Sequence, residues 1–441
     1  VSENNNLVYE IYKEIIEIPS TTGSGKSTQI ANQLAKRLLH ENFPKEDIHL
    51  IPHRDGETNL VVRLRGKSKS QKPILLMAHV DVVPAVAEAW STKPFKLIEK
   101  DGYYYARGSH DNKAGAAIII ANLIRYKREG FIPARDIIIA LTSDEETTSY
   151  AIVDLVKEHR NLVDAEYALN TDSGSAEIKD GSYSVFGVQA SEKVYLTFTL
   201  ETENPGGHSS RPGAENAIYD LTEALESISD FTFPVTLDEV TRTFFERAAA
   251  TKTGDEAKDM LAVSSSSVNL KAAARLSARS SYYNALLRTT CVPTRLHSGH
   301  ADNALPRSAS ATVNCRIFPG HKPDEVEATL KKLAGEKVKI SRVKQPTLSP
   351  ASPLTPNLLE TFESLVQEVF PGALLIPSMS TGATDGLYVR NAGMPVYGIS
   401  ALFGDPNDAR AHGKDERVLK TSFYKAYDFW YLMVKKLSSE Q

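Results

Sequence analysis

Apolar and polar positions repeat along this chain with two different periods, and the switch between them marks out its parts. Leu7, Val8, Ile11, Ile15 and Ile16 recur at helical spacing before Pro19, which predicts an opening amphipathic helix; a second helix is expected over 29–40. Strands are expected at 48–51 and 60–64. The runs at 74–79 and 136–142 are apolar without a polar face, as in strands covered on both sides, and a further strand is expected at 165–170. Residues 103–107 read as a strand leading into a glycine turn, and Ala116, Ile119, Ile120, Leu123 and Ile124 mark the buried face of a helix. From Ser191 the pattern changes. Residues 194–200 alternate like a strand with one wet face, followed by a helix at 215–228, a charged, Ala- and Ser-rich helical segment at 234–284, strands at 286–296 and 309–318, a helix at 326–333 and a strand at 338–343. The Pro- and Ser-rich stretch 345–356 reads as the return, with a helix at 358–370, a strand at 395–399 and a terminal amphipathic helix at 418–437.

This order predicts an α/β chain of two domains: residues 1–190 and 347–441 form a discontinuous first domain, and 191–346 an α+β insertion. A length of 441 residues exceeds one typical core, and 41% hydrophobic residues can fill two. The net charge of -4 gives no electrostatic case for nucleic acid or an anionic membrane. No apolar run reaches the roughly 20 residues needed to cross a bilayer, so no membrane insertion is expected. Val1 in place of Met fits either a trimmed chain or a processed export signal; the second would put the protein in the periplasm or outside the cell, the first in the cytoplasm. Cys291 and Cys315 are too few for a disulfide framework or a cysteine metal cluster, so any metal must be held by His, Asp and Glu.

The chemistry gathers at the strand ends. In Ile-Leu-Leu-Met-Ala-His-Val-Asp the side-chain period of two points His79 and Asp81 the same way, where open α/β sheets bind ligands. The 136–142 run ends in Ser143-Asp144-Glu145-Glu146, the 165–170 run in Thr171-Asp172, and Asp111 stands at the start of the intervening helix. Taken singly, loop acids are solvated and Asp111 is an ordinary N-cap; three strands ending alike point to one site. His and carboxylate ligands without thiolates suit zinc or a similar divalent ion, and a bridging carboxylate suits two. Two ions acidify a shared water, and a carboxylate beside them takes its proton, which accounts for paired glutamates. Gly23-Ser24-Gly25-Lys26-Ser27-Thr28 imitates a phosphate-binding loop, but Ser20 stands where that motif needs Gly and no buried strand precedes it. It reads as a turn before a helix.

His79-x-Asp81, Gly108-Ser109-x-Asp111-Asn112-Lys113, Asp144-Glu145-Glu146, Asp172 and His412-Gly413-Lys414-Asp415-Glu416 occur in the order seen in the dinuclear zinc family of aminoacylase, glutamate carboxypeptidase, carnosinase and succinyl-diaminopimelate desuccinylase, which this chain resembles over nearly its whole length. The resemblance implies a zinc-exopeptidase-like catalytic domain, a mixed, largely parallel sheet between helices, with an inserted lid and dimerisation domain that leaves room for a homodimer. It implies two Zn2+ per chain, with Co2+ or Mn2+ as substitutes: His79 and Asp172 on one ion, Glu146 and His412 on the other, Asp111 bridging. Glu145 becomes the general base, Asp81 orients His79 through its other ring nitrogen, and His208 stabilises the oxyanion. Substrate contacts fall to Asn303, Arg316 and the loop Gly382, Ala383 and Thr384, with Arg316 suited to a terminal carboxylate. A cis peptide is implied at Asp111–Asn112, and a free-standing role is implied for neither His297 nor His300. The implied activity is hydrolysis of an amide bond in a dipeptide or short peptide with a free carboxylate by a zinc-bound hydroxide. The alternatives are an N-acyl-amino-acid deacylase and, more remotely, a non-catalytic binding protein on the same fold.

Overall fold

The computed structural model describes residues 3–54 and 56–439. The chain forms two compact units, Val1–Ala190 with Ser352–Ser378 and Thr384–Gln441, and Ser191–Ala351 with Met379–Ala383.

The first unit is built on a nine-stranded mixed sheet. Ile74–His79 lies between Ile137–Thr142 and Tyr167–Asn170 and runs parallel to both. Every residue of Ile74–His79 and of Ile137–Thr142 is buried, which is what their unbroken apolar runs require. Register carries the functional consequence. His79 pairs with Thr142, so these two strands finish level, while Asn170 pairs with Met77 and ends two residues short; Asp81, Asp144 and Asp172 lie just beyond the three ends. Glu57–Leu64 flanks Ile137–Thr142 in antiparallel fashion, with Ile48–Arg54 outside it. The helix Lys113–Arg128 is buried along nearly its whole length. Gly115 allows it to approach the sheet, because a Cβ there would collide with the Thr171 side chain next to Asp172. The C-terminal helix Lys420–Leu437 closes this core through aromatic contacts, including Phe423 on Tyr12 at 4.6 Å and Phe429 on Phe186 at 5.0 Å.

The second unit carries a four-stranded antiparallel sheet in the order Thr290–Ser298, Ser308–Ile317, Val194–Glu203, Lys339–Arg342. One face is wet, as the alternation predicts. On the other, Val194, Leu196, Phe198 and Leu200 pack with Leu221 and Ile228 of Ala217–Asp230 and with Leu330 of Pro323–Ala334. The 234–284 segment is helical: Glu239–Ala248, Gly254–Ser264, Leu270–Arg279 and Ser281–Leu287, the first closed by an Asp238 capping box.

Three expectations need correction. The strand expected at 286–296 begins later, at Thr290, because Tyr283, Leu286 and Leu287 form the buried face of a helical turn. The terminal helix starts at Lys420, since Arg417–Leu419 pairs as a strand with Tyr103–Tyr105. Cys291 and Cys315 lie directly opposite in neighbouring strands, Cα atoms 4.0 Å apart, and form a disulfide. Among the described residues no helix is long and apolar enough to cross a membrane.

Candidate active site

The strand ends bring His79, Asp111, Glu145, Glu146 and Asp172 together, and the 412–416 loop adds His412. Asp111 is the centre. Its Oδ1 lies 3.0 Å from His79 Nε2 and its Oδ2 3.0 Å from His412 Nε2, one oxygen facing each imidazole. His79 Nε2 is also 3.4 Å from Asp172 Oδ1 and 3.9 Å from Glu145 Oε2, while His412 Nε2 stands 2.9 Å from Glu146 Oε1. His79 is buried, whereas the His412 side chain is 54% exposed and enters from a loop. The Asp111–Asn112 peptide is cis, as expected, and the helix N-cap is Asn112 rather than Asp111.

Asp81 faces the other ring nitrogen of His79. The hydrogen bond from His79 Nδ1 goes to the Asp81 carbonyl oxygen at 3.0 Å, with the carboxylate at 3.4 Å. That carboxylate receives the backbone N–H groups of Glu145 at 3.1 Å and Glu146 at 3.0 Å. One residue therefore orients the histidine with its backbone and the paired glutamates with its side chain.

Sequence reasoning assigned no role to Glu416, although it closes the 412–416 motif. It is buried, and its Oε1 accepts from His110 N and Asp111 N at 2.8 and 3.0 Å. Its Oε2 accepts from Gly108 N at 3.1 Å and from Arg107 at 2.7 Å. Arg107 also donates to the His412 carbonyl at 3.3 Å, so this pair ties the Asp111 turn to the His412 loop. Asp385, likewise unforeseen, is buried and accepts from the Thr142 hydroxyl at 2.6 Å; burial pushes its carboxyl up to about 8.

The electrostatics are unbalanced. Among the described residues no Lys or Arg pairs with Asp111, Glu145, Glu146 or Asp172; their cationic partners are the two imidazoles. Burial, reinforced by the neighbouring Asp172, raises Glu145, and burial with the Asp111 charge raises Glu146 to about 7. Burial raises Asp172 to about 6 against the pull of His79. For Asp111 burial acts upward, but its bonds to both histidines hold the carboxyl well below the usual range. The Asp111 bond raises His412 to about 9. Two imidazole nitrogens amid an excess of buried carboxylate oxygens are a donor set that fits a pair of divalent cations, and one ligand atom from each of His79, Glu145 and Asp172, and of His79, Asp111 and Glu146, lies within 4.8 Å of the others.

A sequence profile described as peptidase family M20/M25/M40 matches residues 75–436. The chain belongs to this family. It is 28% identical over 453 residues to human N-fatty-acyl-amino acid synthase/hydrolase PM20D1, covering 100% of this chain and 89% of that protein. Its fold is similar to that of Sso-CP2 from Sulfolobus solfataricus, an M20 family metallo-carboxypeptidase, with a TM-score of 0.71 at 19% identity over 99% of both chains. It is also similar to YXEP of Bacillus subtilis, a dinuclear metal binding peptidase of the M20 family, with a TM-score of 0.64 at 11% identity over 99% of this chain and 98% of that one. Membership makes the chain an M20 metallo-hydrolase, as the order of its motifs implies.

The remaining expected residues fall mostly in the second unit. Gly207–His208 pairs with Ala304–Leu305, and Ser209 N donates to the Asn303 carbonyl at 3.0 Å, so His208 and Asn303 share one short ladder. His208 Nδ1 accepts from Ser210 N at 3.1 Å, which leaves the ring proton on Nε2. The Arg316 guanidinium lies over the Tyr195 ring at 4.6 Å and donates to the Thr381 carbonyl at 3.4 Å, with no acid paired to it among the described residues. Gly382 and Ala383 belong to the second unit and Thr384 to the first. Gly382 N donates to Ser380 Oγ at 3.1 Å, and Thr384 Oγ1 accepts from Gly386 N at 3.1 Å.

Proposed function

We propose that this chain hydrolyses the amide bond of an N-acyl amino acid or short peptide that carries a free carboxylate on the amine side. The observation that carries the reading is the Asp111 carboxylate set between two histidines, one oxygen 3.0 Å from each, with Glu145 beside them. His79 and Asp172 would hold one divalent ion, Glu146 and His412 the second, and Asp111 both; zinc is the choice most in keeping with these donors. When bound, such a pair supplies Lewis acidity and makes an adjacent water acidic enough to attack near neutral pH.

The chain's own residues do the rest. Glu145 receives the water's proton on its carboxylate and delivers it to the leaving nitrogen, a transfer that needs a carboxylate held in place, as Asp81 holds it through the Glu145 backbone. His208, with Nε2–H free to donate, is the proposed partner of the developing oxyanion. Arg316, unpaired with any acid and braced on Tyr195, is the proposed clamp for the substrate carboxylate, and the second unit the proposed lid. An acylated amino acid is favoured over a dipeptide by the likeness, along the whole of this chain, to human N-fatty-acyl-amino acid synthase/hydrolase.

Hydrolysis of N-acetyl, N-octanoyl and N-lauroyl amino acids beside a set of dipeptides, on metal-stripped and zinc-loaded protein, tests this. Zinc-dependent release of amino acid, fastest for the acylated substrates, is expected. Faster cleavage of dipeptides would return the reading to a peptidase. No hydrolysis of either class with two ions bound would turn it towards a binding protein.

A further inference from the structure

The glycine turn that imitates a phosphate loop has another task in this fold. Its Gly23 N–H, the kind of donor a phosphate would need, is given to Glu57 Oε1 at 2.7 Å. Gly25 lies so close to Gly56 that a Cβ on Gly56 would strike it. The Thr28 and Thr58 hydroxyls meet at 2.8 Å, and Ser27 Oγ donates to the Ser143 carbonyl at 3.4 Å. The turn thus roofs over the start of the Glu57–Leu64 strand and the end of Ile137–Thr142.

Beneath it are two buried acids that no cation balances among the described residues. Glu57 is 3% exposed, and its Oε2 has no hydrogen-bond partner among the described residues. Asp144, 0% exposed, receives Tyr150 N at 3.0 Å, Ala151 N at 2.9 Å and the Thr148 hydroxyl, yet among the described residues neither acid pairs with a Lys or Arg. The donors at Asp144 satisfy part of its carboxylate, whereas Glu57 Oε2 is left bare, and a buried carboxylate oxygen in that position is costly unless a positive charge accompanies it.

His53 completes the group, and its tautomer follows from its neighbours. The Asn59 amide nitrogen donates to the Ala151 carbonyl at 3.1 Å, so Asn59 Oδ1 is the acceptor for the Ser143 hydroxyl at 3.2 Å. Having spent its proton there, Ser143 Oγ accepts from His53 Nε2 at 2.7 Å. The proton of the neutral ring is therefore on Nε2, and Nδ1 presents a lone pair; it is buried and has no partner among the described residues. A histidine anchored through one nitrogen with the other bare is the arrangement metal sites use. One ligand atom from each of His53, Glu57 and Asp144 lies within 4.8 Å of the others.

We propose that His53 Nδ1, Glu57 and Asp144 hold a third divalent cation, separate from the pair around Asp111 and of the zinc or manganese class, which one imidazole nitrogen with carboxylate oxygens suits. Such an ion fastens the start of the Glu57–Leu64 strand to the segment that leads into Glu145.

Crystals of the unaltered protein soaked in zinc or manganese, with data collected at that metal's absorption edge, read the site directly. An anomalous peak at bonding distance from His53 Nδ1 is expected. No peak there at saturating metal overturns the proposal, whatever is found beside Asp111. Equilibrium dialysis of stripped full-length protein gives the count in solution: three ions for wild type, and two for His53→Ala and for Glu57→Gln. Wild type saturating at two, or both variants still taking three, also overturns it.

Discussion

Glu416 and the acids around Asp111 are treated in opposite ways, although backbone bonds join them. The Glu416 side chain is 1% exposed, and its two oxygens receive one guanidinium nitrogen and three backbone N–H groups. Asp111, Glu145, Glu146 and Asp172 instead face two imidazoles and one another, and burial raises three of the four. Acidity and burial are common to both. What differs is whether the protein provides the donors. Where it does, the acid is a structural tie; where it does not, cations from solution would have to stabilise the surplus charge, and folding and metal binding would then be linked.

The largest test of that contrast is Glu145→Gln, which keeps the shape and removes the proton acceptor. Its expected effect is a fall in kcat of about 10²–10⁴-fold with the wild-type number of ions still bound, read by single-turnover hydrolysis beside a metal count. Retention of most of the wild-type rate would take the base role from Glu145. Glu416→Gln probes the satisfied side. Neutralising one member of a buried pair costs about 3–5 kcal/mol, and loosening the Asp111 turn should weaken metal binding about 10–100-fold, measured against a competing chelator. Weaker folding with unchanged metal affinity would leave Glu416 a purely structural tie. Arg316→Ala should raise KM about tenfold or more for substrates with a free carboxylate, the weight of a charge-assisted hydrogen bond, and leave the amidated analogue unaffected. Equal losses on both would remove the carboxylate from its list of contacts.

The same contrast decides what could be read from the chain. His79, Glu145, Glu146 and Asp172 were legible because each ends or follows an apolar run, and the period of such runs is a property of the residues themselves. His412 was not: it is an exposed loop histidine, and only the order of motifs singled it out. Glu416 and Arg107 were hidden because their worth lies in backbone donors, which a sequence does not display. The strand Ser182–Glu192 was missed since it buries Gln189, whose polar reading is cancelled by Arg390 and Ser173. Leu374–Ser380 holds Pro377, which argues against a strand except at a sheet edge, and that is where this strand lies. The disulfide needed the register of two strands distant in sequence.

The smallest expected effect concerns the stripped protein and pH. Glu146 is raised to about 7 and Asp172 to about 6, so between the unfolded values near 4 and these values the folded protein binds the extra protons. Stability therefore falls as pH rises through this window. His412, raised to about 9, adds to folding while charged and loses that contribution as pH climbs towards 9, which has the same sign. Asp111, lowered, acts oppositely but only in acid below that window. The melting temperature of stripped protein should thus drop by a few degrees between pH 5 and 8, and Glu146→Gln should lessen the slope, with the raised Glu145 and Asp385 carboxyls supplying what is left. With divalent ions present the carboxylates are held ionised, so the slope should vanish and metal binding at neutral pH should release about one proton or more, seen by calorimetry in buffers of different ionisation enthalpy. A stripped protein whose Glu146→Gln variant keeps the full slope would show that the surplus charge is absorbed elsewhere, and the division between satisfied and unsatisfied acids would have to be drawn around different residues.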